Sequence, residues 1–194
     1  MNKMSRVHFV FFRLLVVLTL TAATYQCSVM RDLTTDRPKA TNNPTESPVP
    51  ISEAMRKEMA IRNEVVGYAE QFIGTSYLSA GKEPKTGFDC SGFTSFVWGK
   101  YNVKLSASAH DQAIQGASKP IESVKPGDLI FYRRSPGTPI FHVSLVVSND
   151  GKSIKVIHST TSRGVEINDI LASKYWKPYI DSARDVVNMS RSLR

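Results

Sequence analysis

Three apolar runs separated by turn signals constrain this chain most. Leu129-Ile130-Phe131-Tyr132 follows Pro126-Gly127-Asp128. Phe141 to Val147 follows a polar stretch, Arg133 to Pro139, with Pro136-Gly137 at its tip, and Ser153 to His158 follows Asn149-Asp150-Gly151. Short apolar runs bounded by such residues are strands, and the brief turns between them make the strands antiparallel neighbours. A fourth short strand is expected over Val165 to Ile167. Ahead of the strands, Ser52 caps a helix whose apolar positions Met55, Met59, Val66, Ala69, Phe72 and Ile73 recur at a period near 3.6, with Gly74 as its stop. This helix is expected to pack on the sheet. A Gly/Lys/Pro-rich loop leads to Gly87, a second helix runs to about Tyr101, and Val103 to Ala117 is expected to be loop and short helix. The last segment, Ile170 to Val187, is expected to begin helical and to break at Pro178. Helices first and clustered antiparallel strands afterwards indicate an α+β domain.

The 194 residues suit one domain of roughly 100–150 residues with appendages. Met1 to Arg13 is basic and Leu14 to Ala23 apolar, too short and too interrupted by Arg13 for a comfortable membrane span. Residues 1–26 therefore read as a signal peptide. Two processing routes compete: cleavage after Thr21-Ala22-Ala23, or lipidation of Cys27. The segment resembles a bacterial lipoprotein signal, although Gln26 stands where a small residue is usual. Cys27 and Cys90 are the two cysteines of the chain. If Cys90 is a nucleophile, Cys27 has no disulfide partner, and a lipid anchor accounts for it. The alternative is an incidental cysteine within or just after a cleaved signal. Residues 27–50 are rich in Thr, Asn, Ser and Pro and bury too little to offset ordering, so they read as a flexible tether to a catalytic domain over 51–194. The net charge of +8, lowered by three if Lys3, Arg6 and Arg13 leave with the signal, suits an anionic cell wall or lipid head groups. Without an aromatic-interleaved basic stripe or a nucleic-acid motif, no nucleic-acid partner is expected.

The chemistry centres on Gly87-Phe88-Asp89-Cys90-Ser91-Gly92-Phe93. Asp89 suits an N-cap, which puts Cys90 in the first turn of the second helix. Unpaired backbone N–H groups and the helix dipole favour an anion there, and a thiolate is the nucleophilic form of cysteine. A buried, unreactive cysteine is the alternative. Two strand histidines complete the pattern of a thiol hydrolase. Cys90 is the candidate nucleophile, and His142 would hold it as a thiolate–imidazolium pair and later protonate the leaving amine. His158 would hydrogen-bond the far nitrogen of His142 and fix its tautomer. If Asn149-Asp150-Gly151 is a three-residue loop, Ser148 closes against Lys152 and His142 faces His158 across the hairpin. A two-residue Asp150-Gly151 turn would put the histidines on opposite faces. His8 lies in the signal segment and His110 has no clear role. Zinc is the chemical rival, but one Cys and two His include no close ligand pair.

Six motifs in order resemble the NlpC/P60 family of bacterial cell-wall cysteine peptidases. They are Gly74-Thr75-Ser76-Tyr77, the segment Gly87 to Phe93, Leu105-Ser106-Ala107-Ser108, Lys125 to Phe131, Phe141-His142-Val143-Ser144-Leu145 and Val156-Ile157-His158-Ser159-Thr160. Tyr175-Trp176-Lys177 and Ser182-Ala183-Arg184 are similar to the end of a lipoprotein-type member. The resemblance implies a papain-like α+β fold with the nucleophile at a helix N-terminus packed on an antiparallel sheet. It also implies cleavage of the bond between D-γ-glutamate and a diamino acid in peptidoglycan stem peptides. On this resemblance Cys90 is the nucleophile, His142 the base, His158 the orienting residue, and Tyr77 the tyrosine near the oxyanion site. Asp89 and Ser91 flank the nucleophile and either help bind substrate or serve as caps. Two steps depart from the family pattern: Ser79-Ala80-Gly81 replaces a Tyr-Gly-Gly-like sequence, and His142-Val143-Ser144 a His-Val-Gly-like one. Export, a lipid anchor at Cys27, a monomeric state, and no metal, nucleotide or organic cofactor are the accompanying expectations. An amidase of the same fold, acting on N-acetylmuramoyl-L-alanine or another amide, and a non-catalytic wall-binding module are the alternatives.

Overall fold

The computed structural model describes residues 52–191. The expected signal peptide and tether, and Cys27 with them, lie outside the described residues. Helix α1 (Glu53–Glu70) starts where Ser52 accepts the Met55 N–H at 3.2 Å. Met55 and Met59, expected on its buried face, are 52% and 51% exposed; the helix buries Ala69, which was expected, together with Arg62 and Val65. The apolar stripe has the right angular position, but periodicity carries no information about where along the axis packing begins. Here packing starts at the level of Arg62.

The strands are β1 (Lys82–Glu83), β2 (Gly87–Phe88), β3 (Ala117–Lys119), β4 (Leu129–Arg133), β5 (Ile140–Asn149), β6 (Ile154–Thr160), β7 (Gly164–Asp169) and β8 (Ile180–Asp185). The remaining helices are α2 (Cys90–Gly99), α3 (Ala109–Gln112) and α4 (Val187–Arg191). β1 and β2 form a small hairpin where a loop was expected, and the other six strands form one antiparallel sheet in the order β3-β8-β4-β5-β6-β7. Its two faces are both covered. Leu129, Phe131, Val143, Leu145 and Ile157 pack with Val65, Phe93, Val97 and Trp98 of α1 and α2. Ile130, Tyr132, Val146 and Val156 pack beneath Ile170, Leu171, Trp176 and Tyr179. Double burial is why β4 reads as an unbroken apolar run and not an alternating one.

β8 corrects the expectation of a helix after Ile170. The chain makes a 3₁₀ turn over Lys177–Tyr179, containing Pro178, and then inserts a strand between β3 and β4. Of Ile180–Asp185 only Ala183 is buried. Its extended form comes from pairing with β4, not from an apolar pattern of its own.

Arg62 ties these layers together. Its guanidinium reaches Asp128 at 2.7 Å, Asp185 at 2.6 Å, Glu58 at 3.0 Å and the Pro126 carbonyl at 2.9 Å, and Lys119 sits 2.8 Å from Asp128. Helix α1, the turn before β4 and the end of β8 are thereby joined through one buried cation. Removing one partner of a buried pair leaves charge uncompensated, so Arg62→Ala should cost about 3–5 kcal/mol of stability in chemical denaturation. A loss below about 1 kcal/mol would show that the cluster behaves like a solvent-exposed one.

Candidate active site

Asp89 caps α2: its Oδ1 accepts the Gly92 N–H at 2.6 Å, and the Ser91 hydroxyl lies 3.0 Å from the same oxygen and 2.9 Å from the Ala107 carbonyl. Cys90 is therefore the first residue of the helix. The residue at 92 must be glycine, because a Cβ there would lie 2.0 Å from the Gly81 carbonyl oxygen. Helix α3 holds the same turn from the other side. Buried Gln112 accepts from Thr94 at 2.8 Å and donates to the Ser91 carbonyl at 3.0 Å. The Ser159 hydroxyl donates to the Phe88 carbonyl at 2.7 Å, fastening β6 to the residue two before the cysteine.

Tyr77 arrives on a segment stitched on both sides. Phe88 donates to Ser76 and Leu78 to Phe88, each at 3.1 Å, while Gly74 donates to the Val165 carbonyl of β7 at 2.8 Å and Val165 donates back to the Thr75 carbonyl at 2.9 Å. Tyr77, Cys90 and His142 line one cleft of about 550 Å³, together with Arg134, Arg163, Glu166, Asn168 and Trp176. Asp89 and Ser91 are turned into the capping network and do not line it.

The two histidines meet, but not in the register expected. Leu145 pairs with Ile157 and Val146 with Val156, and a bulge before Ser148 then shifts the ladder. Continued outward, that register sets Ser144, not His142, opposite His158. His142 is the diagonal neighbour on the same face. The cause is a four-residue loop, Asp150 to Ser153, in which the Asp150 carboxylate accepts the Lys152 and Ser153 N–H groups at 2.9 and 2.7 Å. His142 Nε2 lies 2.9 Å from His158 Nδ1, and His158 Nε2 lies 2.9 Å from Asn168 Oδ1. Only His142 Nδ1 is left unengaged by this chain of contacts. Trp176 stacks on His142 at 4.5 Å and 25° and stands 4.9 Å from His158.

Asn168 and Trp176 are the site residues that sequence reasoning missed. Asn168 lies just past the strand expected over Val165 to Ile167, and its β6–β7 register, opposite Val156, was not legible without the loop length. Trp176 stood in a motif noted only for resemblance. The two departures from the family pattern have structural counterparts. Ser144 is buried and its hydroxyl bonds Tyr132 Oη at 2.8 Å. Ala80 takes a left-handed φ of 57°, a conformation that costs a residue with a Cβ about 1 kcal/mol.

Electrostatically, the site departs from the expected ion pair. Burial pushes the Cys90 thiol up to about 11; the Val143 N–H directed at it works against this, the Asp89 carboxylate adds to it, and the N–H groups of Ser91 and Cys90 oppose it. Burial, then the charge of His158, holds His142 well below the ordinary imidazole range. His158 is lowered by burial, with the Asn168 hydrogen bond and the Glu166 charge pulling the other way. The resting site is a thiol beside neutral imidazoles, because the helix terminus does not outweigh desolvation of the charged forms. Burial, followed by the charges of Cys90 and Asp89, raises the Tyr77 phenol and keeps it protonated.

A sequence profile described as the NlpC/P60 family matches residues 74–185. The chain is 37% identical over 123 residues to the gamma-DL-glutamyl hydrolase of Bacillus subtilis, spanning 62% of this chain and 29% of that protein. It is 30% identical over 131 residues to the gamma-D-glutamyl-L-lysine dipeptidyl-peptidase of the same organism, spanning 66% and 41%. The chain thus covers less than half the length of these curated relatives. An NlpC/P60 family protein from Bacillus cereus has a similar structure, with a TM-score of 0.59 at 28% identity over 65% of this chain and 40% of that one. The NlpC/p60 domain of the peptidoglycan hydrolase SagA gives 0.53 at 28% identity, over 64% and 97%.

A raised thiol pKa has a direct reactivity consequence. In the full chain carrying Cys27→Ser, alkylation of Cys90 by iodoacetamide should accelerate with pH towards a midpoint near 11. A rate plateau between about pH 5 and 8 would instead reveal a thiolate–imidazolium pair at rest.

Proposed function

Because the chain belongs to the NlpC/P60 family and has its α+β fold, we propose that it is a cysteine peptidase of the bacterial cell wall. Its substrate in this reading is the peptidoglycan stem peptide, cut between D-γ-glutamate and a diamino acid. The names of two relatives, a gamma-DL-glutamyl hydrolase and a gamma-D-glutamyl-L-lysine dipeptidyl-peptidase, support that choice of bond. The observation that carries it is the sharing of one cleft by Cys90 and His142, with His158 2.9 Å behind.

The chemistry follows from the neutral resting state. As Cys90 Sγ bonds to the scissile carbonyl carbon, its proton passes to His142 Nδ1. The carbonyl oxygen gains negative charge, and the Tyr77 hydroxyl, held in its protonated form, can donate to it. His142 then gives its proton to the departing amine as the C–N bond breaks, leaving a thioester on Cys90. Water, deprotonated by His142, hydrolyses the thioester and restores the thiol. His158 supports the transient imidazolium, and Trp176 covers both rings from water on one side. Arg134 and Arg163 at the cleft suit the carboxylates of a stem peptide. Location in the cell envelope, export through residues 1–26 and lipid anchoring at Cys27 belong to the same proposal and rest on the sequence of that segment.

Purified peptidoglycan digested with the wild-type chain beside Cys90→Ala tests the reading. Fragments ending in D-γ-glutamate, seen by mass spectrometry with the wild type only, are expected. Stem peptides released whole from glycan would indicate an amidase, and identical digests on intact wall and on free stem peptides would indicate a binding module.

A further inference from the structure

A hydrogen bond between two neutral imidazoles has two directions, and only one of them is useful at this site. If His142 Nε2–H donates to His158 Nδ1, then His142 Nδ1 carries a lone pair and can accept the Cys90 proton. If His158 Nδ1–H donates to His142 Nε2, then His142 Nδ1 already holds a hydrogen and is no base. The 2.9 Å separation of the two rings is compatible with either. Something else must choose.

The structure assigns that choice to Asn168: its side-chain amide sets the direction of the His142–His158 hydrogen bond and leaves the lone pair on His142 Nδ1. Asn168 Nδ2 donates to the Ile167 carbonyl at 3.0 Å, which orients the amide with Oδ1 towards His158 Nε2, 2.9 Å away. An amide oxygen only accepts, so Nε2 of His158 must carry the hydrogen. A neutral His158 then has a bare Nδ1, which must accept from His142 Nε2. Each step follows from the one before, and the chain ends on Nδ1 of His142, a ring that lines the same cleft as Cys90.

The chemical type of Asn168 matters as much as its place. Glu166 lies directly opposite His158 in the β6–β7 ladder, yet its carboxylate is engaged by Thr160 at 2.9 Å and Arg163 at 3.3 Å. A carboxylate on His158 Nε2 would draw a second proton onto that ring. His158 would then donate from both nitrogens and force His142 into the unproductive tautomer. A neutral acceptor holds one hydrogen on His158 without inviting another. The polar groups around His158 include His142 and Ser144 from β5 and Glu166 and Asn168 from β7, with the Ser144 hydroxyl engaged by Tyr132 and the ring of Trp176 against His158 from the segment after β7. Asn168 is thus a positioning residue acting through His158, and its catalytic consequence rests on the peptidase reading above.

The tautomer itself can be read without any substrate. Long-range ¹H–¹⁵N spectra of the full chain labelled at histidine, with resonances assigned by His142→Gln and His158→Gln, should show both rings protonated at Nε2. Protonation of His142 at Nδ1 in the wild type would overturn the proposal whatever the enzyme's activity. Asn168→Leu removes the acceptor while keeping a side chain branched at the same carbon. Its His142 signals should move towards an average of two tautomers, and kcat on a stem peptide should fall about tenfold with KM little changed, the loss of roughly one hydrogen bond. Asn168→Asp is nearly isosteric and guards against a folding defect in the leucine variant. It should move the acid limb of kcat/KM to higher pH while activity recovers on the alkaline side. A uniform loss at every pH, with wild-type tautomers retained in both variants, would make Asn168 merely structural. A wild type that shows the Nε2–H tautomers but cleaves no stem peptide would leave the proton arrangement standing and remove the peptidase reading.

Discussion

Everything reactive in this domain depends on how closely the first turn of α2 seats against the hairpin before it. Gly92 lets the Gly81 carbonyl approach within a distance that no side chain tolerates, and Asp89 closes the helix end by accepting the Gly92 N–H. Ser159 then fastens Phe88 to β6, the strand that also carries His158. Thiol and imidazoles are therefore positioned by the same few backbone contacts. Cys90 has little freedom to swing away, because Ser91 on one side of it is tied to Ala107 and Gln112, and Phe88 on the other to Ser159 of β6.

That tight seat has an electrostatic cost. Burial raises the Cys90 thiol and lowers both histidines, so the charge separation that the proposed mechanism requires is not stored at rest. In the proposed mechanism such a site makes its nucleophile only as the bond to carbon forms. The His142–His158–Asn168 series then gains importance, because the base must already present a lone pair when substrate arrives. Trp176, stacked on His142, keeps the dielectric around that series low and strengthens its hydrogen bonds.

The local rules were legible and the tertiary ones were not. Ser52 and Asp89 announce helix starts because a cap is read from a few adjacent residues. β4, β5 and β6 show as apolar runs because both faces of the sheet are buried. β8 and β3 were invisible because their polar residues are strands only by virtue of their partners. Nothing local in the sequence marks Arg62 as a tie point, because its partners Asp128 and Asp185 lie far along the chain. The same holds for Asn168, whose meaning depends on a bulge and a loop that shift the register around His142.

Covalent trapping tests the central claim most directly. A γ-D-glutamyl ester analogue of the stem peptide, mixed with the full chain carrying Cys27→Ser and quenched in acid, should leave an adduct on Cys90 equal to the acyl half. Cys90→Ala should give neither adduct nor turnover. Hydrolysis of the analogue with no adduct on Cys90, or sustained hydrolysis by Cys90→Ala, would contradict a mechanism built on this thiol and the proton chain behind it.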